Sequence, residues 1–234
     1  MTSSLLSFLK SSRNQAWEDQ HGVLKDIVQK KKMDWNERSE FNGTNIWHEA
    51  TAYHCPELID WMLHQAKMPL RLIEEDYALG ILQSQHFEAI IDLNVPWTFS
   101  SSQKEDTSFI FSTLVDNDPQ QMRPQKLKWL LEHQFNPNAS RYFSGSDWTP
   151  LIFAGQNEVL EQVQLLLDFG ADPFFVGDTL TQKTVFDKLK DWLGDDAPTV
   201  KLIKAKLADN ERQTLQQTTQ DLQNPPKKHS FKRI

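Results

Sequence analysis

Between Thr149 and Phe174 the chain reads TPLIFAGQNEVLEQVQLLLDFGADPF, and no other stretch constrains the fold as much. The side-chain oxygen of Thr149 can cap a helix, and Pro150 suits its first turn, where no backbone donor is lost. A polar turn interrupts the apolar residues. Leu160, Val163, Leu165, Leu166 and Leu167 then give a second helix its apolar face. Gly170 can take the left-handed geometry that ends that helix. The expectation is a pair of helices with both outer ends specified.

The same pattern recurs along the chain. Placed without a gap on NIWHEATAYHCPELIDWMLHQ, it sets Trp47, His48 and Ala50 in a first helix and Glu57, Leu58, Ile59 and Leu63 in a second. A further copy runs from TSFIFSTLVDN to LKWLLEHQFNPN, with extra residues around Pro119 and Pro124 and an exit at Asn136 and Asn138. TVFDKL opens a closing unit in which Asp187 and Leu189 stand where His48 and Ala50 stand above. GVLKDIVQKKKMDWN reads as the second helix and exit of an N-terminal unit whose first helix falls within 2–20. From Asp76 to Asn94, DYALGILQSQHFEAIIDLN keeps the length and periodicity but not the letters.

These units resemble the ankyrin repeat, in which a Thr-Pro-Leu-His-x-Ala start, two antiparallel helices and a Gly-Ala-Asp exit recur about every 33 residues. The resemblance implies an all-α fold: an ankyrin-repeat solenoid of about six units over 1–207, degenerate near 67–106. A polar extension, 208–234, follows and ends in the basic tail KKHSFKRI. One such unit cannot bury its apolar face alone, so stacking supplies the stability and terminal units turn a polar side outward. Lys30, Lys31 and Lys32 suit one such end. In the family, the histidine at the place of His48 caps its own turn by bonding backbone.

Composition narrows the function classes. Hydrophobic residues make up 38%, but eight Trp and fourteen Phe supply large buried areas. No stretch approaches the eighteen or so apolar residues of a membrane span, and the apolar run of MTSSLLSFLK is short for a signal peptide. The one cysteine, Cys55, fits a reducing compartment, and a cytoplasmic location is expected. Net charge is -7, unevenly spread. Residues 1–40 hold seven bases against six acids, whereas 41–222 hold a net -12. An acidic middle disfavours nucleic acid and would steer a basic partner inward, although ordinary solubility explains it equally well.

No motif for chemistry is present. The phosphate loop, the dinucleotide fingerprint, paired Cys-x-x-Cys zinc sites and the His-Glu-x-x-His helix are all missing, so neither a cofactor nor a catalytic set is expected. His48, His54, Cys55 and His64 carry metal-ligand letters, but two neighbours in a turn make a poor site, and no metal is expected. Glu74 with Glu75, and Asp195 with Asp196, read as solvated loop acids.

What remains is surface. The resemblance implies a partner lying against the hairpin tips and the exposed side of the first helices, the tips falling at 37–42, 70–76, 100–106, 141–147 and 174–182. Candidate contacts are Glu40, Phe41, Glu49, Tyr53, Glu74, Glu75, Asp76, Arg141, Tyr142, Phe143, Phe175 and Asp178. Aromatic anchors within a charged rim are what a protein interface needs. Trp148 is expected to pack between units, while Tyr142 and Phe143 suit either role. Charge reversal at Glu74, Glu75 and Asp76 is expected to weaken binding at little cost to stability. The leading expectation is a non-catalytic binder, most simply an inhibitor or immunity protein that neutralises a toxin with a basic face, such as a nuclease. An adaptor or host-directed effector with several partners is the second reading, and an enzyme hidden in 67–106 the third.

Overall fold

A computed structural model describes residues 5–13, 17–29, 34–40, 42–76, 79–114, 123–143, 146–176 and 182–223. Lys30, Lys31, Lys32, the inserted loop around Pro119 and the tail KKHSFKRI lie outside them. The described residues are mainly helical: thirteen α-helices, one short 3-10 helix and one two-stranded hairpin. None of these helices is long and apolar enough to cross a membrane. Two compact units divide the chain, Met1–Asn136 and Pro137–Ile234.

The first unit holds α1 (Leu5–Ser11), α2 (Trp17–Gln29), α3 (Ile46–Tyr53), α4 (Pro56–His64), α5 (Arg71–Glu74), the 3-10 helix (Gly80–Gln83), α6 (Phe87–Ile91), α7 (Ser101–Glu105), α8 (Thr107–Ser112) and α9 (Arg123–Glu132). α3 starts where the pattern requires. Asn45, at the place of the capping threonine, accepts a 2.8 Å hydrogen bond from the His48 N–H. Pro56 occupies the first turn of α4. Trp47, Leu58, Ile59, Leu72, Phe87 and Leu130 are fully buried and make the core.

Two of the expected tips are helical instead. Residues 70–76 contain α5, and 100–106 contain α7. α7 has a local cause: Ser100 accepts from the Gln103 N–H while the Gln103 side chain accepts from the Ser100 N–H at 2.7 Å, a capping box that closes both orphan donors. Asp106 then caps α8 through the Ser108 N–H at 2.9 Å.

Buried side chains stitch these short elements together. The Asn45 amide donates to the Leu72 carbonyl at 2.7 Å. His48 Nδ1 donates to the Asp76 carboxylate at 3.0 Å, and the other carboxylate oxygen accepts from the Gly80 N–H at 2.8 Å. Gln103 Nε2 reaches the Asp76 carbonyl at 3.2 Å. Lys126 Nζ, on α9, donates to the carbonyls of Leu82 and Ser84 at 2.8 and 3.3 Å. Buried backbone groups need such partners. The segment 76–94 is thus held by polar side chains and by close approach: a Cβ at Gly80 would lie 2.5 Å from the His48 carbonyl oxygen. His48 therefore bonds a carboxylate from the following segment, where the resemblance implied a backbone cap.

In the second unit, β1 (Arg141–Phe143) and β2 (Ser146–Trp148) form an antiparallel hairpin, followed by α10 (Pro150–Gln156), α11 (Leu160–Asp168), α12 (Val185–Leu193) and α13 (Pro198–Gln223). Thr149 caps α10 through the Ile152 N–H at 3.2 Å, and Gly170 ends α11 at φ +88°. Val163, Leu166 and Leu167 are buried, but Leu160, expected on the same face, is exposed at the helix start. Asn138 bridges two exits, donating to the Gly170 carbonyl at 3.0 Å and accepting from the Asp172 N–H at 2.7 Å. Thr184 and Asp187 cap α12 reciprocally. The large Leu189 is accommodated against Gly155, where a Cβ would meet its methyls at 2.8 Å. α13 runs unbroken across 207/208, the boundary expected between repeats and extension, and is exposed over 209–219.

Candidate partner-binding surface

Local structure decides which of the sequence candidates reach solvent. Glu49 does not: it is 2% exposed and clamped by Arg13, whose Nε and Nη2 donate to its two oxygens at 2.5 and 2.7 Å. That hydrogen-bonded carboxylate raises the affinity of the guanidinium for its proton. Asp76 does not either. At 4% exposure it is consumed by His48 and Gly80, so it is a tie inside the first unit and not a tip acid. The expectation that its charge can be reversed cheaply is thereby corrected, because an unpaired charge would remain buried.

The other acidic candidates are more open and partly neutralised. Glu40 and Glu74 are exposed. Glu75 is half-buried, ion-paired with Arg38 and, at 3.4 Å, with Arg71. Tyr53 sits at the end of α3 with the Arg13 guanidinium 3.8 Å above its ring and its hydroxyl donating to Gln83 at 3.2 Å. This residue is 37% exposed, so one edge remains available. Phe41 and Asp178 lie outside the described residues.

The second unit presents the more open aromatic surface. In the hairpin, Tyr142 pairs with Asp147 and Arg141 with Trp148. Alternation along a strand sends neighbours to opposite faces, so Trp148 and Tyr142 diverge. Trp148 stacks on Trp192 of α12 at 5.9 Å and meets Phe153 of α10 edge-on at 6.1 Å. Tyr142 is left 75% exposed, beside exposed Arg141. The backbone of Phe143 pairs with Ser146. Phe175 is half-buried, its carbonyl accepting from the Val185 N–H at 3.0 Å, whereas its neighbours Phe174 and Val176 are exposed.

Sequence reasoning missed Trp192, which is 48% exposed. It stands seven residues after Val185 and three after Leu189, both buried, so periodicity assigns it to the core. Its ring stacks on Trp148 and is left half in solvent.

Burial acts on the neighbouring His54 and Cys55. His54 Nε2 donates to the Leu9 carbonyl at 3.1 Å, and burial pushes its pKa below the usual value. Burial pushes the neighbouring Cys55 thiol up, against thiolate formation. His48 and Asp76 form a buried pair, and the second oxygen of Asp76 accepts from the Gly80 N–H. Among the described residues no three His, Cys, Asp or Glu side chains converge to hold a metal ion. No family model matches this chain, and no curated protein is significantly similar to it.

Proposed function

We propose that this chain is a non-catalytic, ankyrin-like protein that acts by binding another protein, and that Tyr142 on the hairpin and Trp192 on α12, which diverge from one another, provide separate anchors. The supporting observation is Tyr142, held on a paired strand with three quarters of its surface in solvent. A rigid exposed tyrosine brings a large contact area and loses little conformational entropy on docking. Trp192, fixed against Trp148, adds a second ring of the same kind.

The finer reading is an inhibitor that neutralises a toxic partner with a basic face in the cytoplasm. Its support is the -12 balance of residues 41–222, which favours electrostatic steering toward such a partner. In affinity capture from the native cell, Tyr142→Ala and Trp192→Ala should each weaken retention of the partner. A hot-spot ring contributes on the order of 2 kcal/mol, about thirtyfold in affinity. Undiminished retention by the double variant would move the surface elsewhere, and retention of many proteins at low stoichiometry would favour an adaptor.

A further inference from the structure

In the first unit a cavity of about 420 Å3 opens between α2 and α4. That is within the range of roughly 300–1,000 Å3 seen for ligand sites. α2 contributes Trp17 and His21, whose rings stack at 4.7 Å and 19°. α4 contributes Glu57 and Asp60, both exposed, and Trp61, which is 3% exposed. Among the described residues, no lysine or arginine lines the cavity.

Elsewhere in the unit, two less exposed acids are paired with guanidinium groups. Glu49 has Arg13, and Glu75 has Arg38 and Arg71. Among the described residues, Asp60 pairs with His64, at 3.6 Å across one helical turn. His21 Nε2 is buried and, among the described residues, has no hydrogen-bond partner. The cavity therefore combines the half-buried Trp17 ring with two exposed carboxylates. Each attracts an organic cation: the ring through its quadrupole, the carboxylates by charge. An anion is repelled, and a neutral apolar group would desolvate the carboxylates without compensation.

We infer that this cavity receives a basic side chain, the ammonium of a lysine or the guanidinium of an arginine, carried by the protein partner. This rests on the protein-binding reading and adds the chemistry that the partner must display. It also places a second, charge-selective contact on the first unit.

The test uses the full chain with 15N-labelled tryptophan, and follows the indole N–H signals of Trp17 and Trp61. Nα-acetyl-lysine methylamide and Nα-acetyl-arginine methylamide are the probes, with Nα-acetyl-norleucine methylamide as the neutral match at constant ionic strength. Saturable shifts with the cationic probes, about tenfold or more weaker with norleucine, are expected. Glu57→Gln with Asp60→Asn should abolish that preference and leave the circular dichroism unchanged, since both side chains are exposed. Equal response to norleucine, no saturable shift, or a preference that survives the double variant would overturn the inference. If the probes bind as expected while the chain captures no protein from its native cell, the cation site stands and the partner as its source is rejected.

Discussion

An alanine at position 80 would have no room for its methyl group. A Cβ there lies 2.5 Å from the His48 carbonyl oxygen, 2.5 Å from Thr51 Oγ1 and 3.0 Å from His48 Cα. Two of these atoms are helix backbone, and Thr51 is itself bonded to the Trp47 carbonyl at 3.0 Å. Restoring ordinary contact requires the 3-10 helix to retreat from α3 by about 0.9 Å, in an interior packed too tightly to absorb it. Overpacking of this kind costs about 1–3 kcal/mol. The retreat also stretches the 2.8 Å bond from the Gly80 N–H to Asp76, and a weakened buried bond adds up to about 1–3 kcal/mol. Gly80→Ala should therefore lose about 2–5 kcal/mol in urea unfolding followed by circular dichroism and tryptophan fluorescence together. Gly22→Ala is the control. In the middle of α2, with nothing within 4 Å of its Cβ, it should gain about 0.5–1 kcal/mol from the lower entropy of the unfolded chain. The reasoning fails if Gly80→Ala is as stable as the parent, or if both variants shift the same way.

Asp76→Lys should cost more than about 3 kcal/mol, seen as a lower thermal midpoint, whereas Glu74→Lys should stay within about 0.5 kcal/mol; equal effects would contradict the burial of Asp76. Lys126→Met removes the donors to Leu82 and Ser84 and should cost about 1–3 kcal/mol, a neutral result showing that burying the ammonium had offset its bonds. His54 gives a pH dependence. Burial lowers its folded pKa, so the unfolded chain takes up the proton first on acidification. Its contribution is complete above about pH 6.5 and is lost as pH falls from there toward the lowered folded value. The slope of unfolding free energy against pH in that window should flatten in His54→Gln, and an unchanged slope would assign it to other groups.

What was legible in the sequence is what is local. Thr149, Pro150 and Gly170 act within a turn of where they stand, and so does the Ser100–Gln103 box, although it heads a helix where a tip was expected. The helix pairs follow from periodicity over eight or more residues. α5 and the 3-10 helix, four residues each, are too short to show a period at all. Burial of charge was illegible for another reason. Glu49 is buried because Arg13 arrives from 36 residues away, and Asp76 because His48 does so from 28. Nothing in the neighbourhood of either acid announces its partner. The segment 76–94 is held by Gly80, Asp76 and Lys126, contacts that its own letters do not announce.

As proposed, this chain works by holding another protein. The most direct test is capture with the tagged full chain in extract of its native cell, at low and moderate salt, with retained proteins identified and quantified by mass spectrometry. The account predicts one partner at near-equal stoichiometry, rich in exposed lysine or arginine and associating more slowly as salt screens the acidic surface. A chain that retains nothing above the tag-only control at either salt would contradict it.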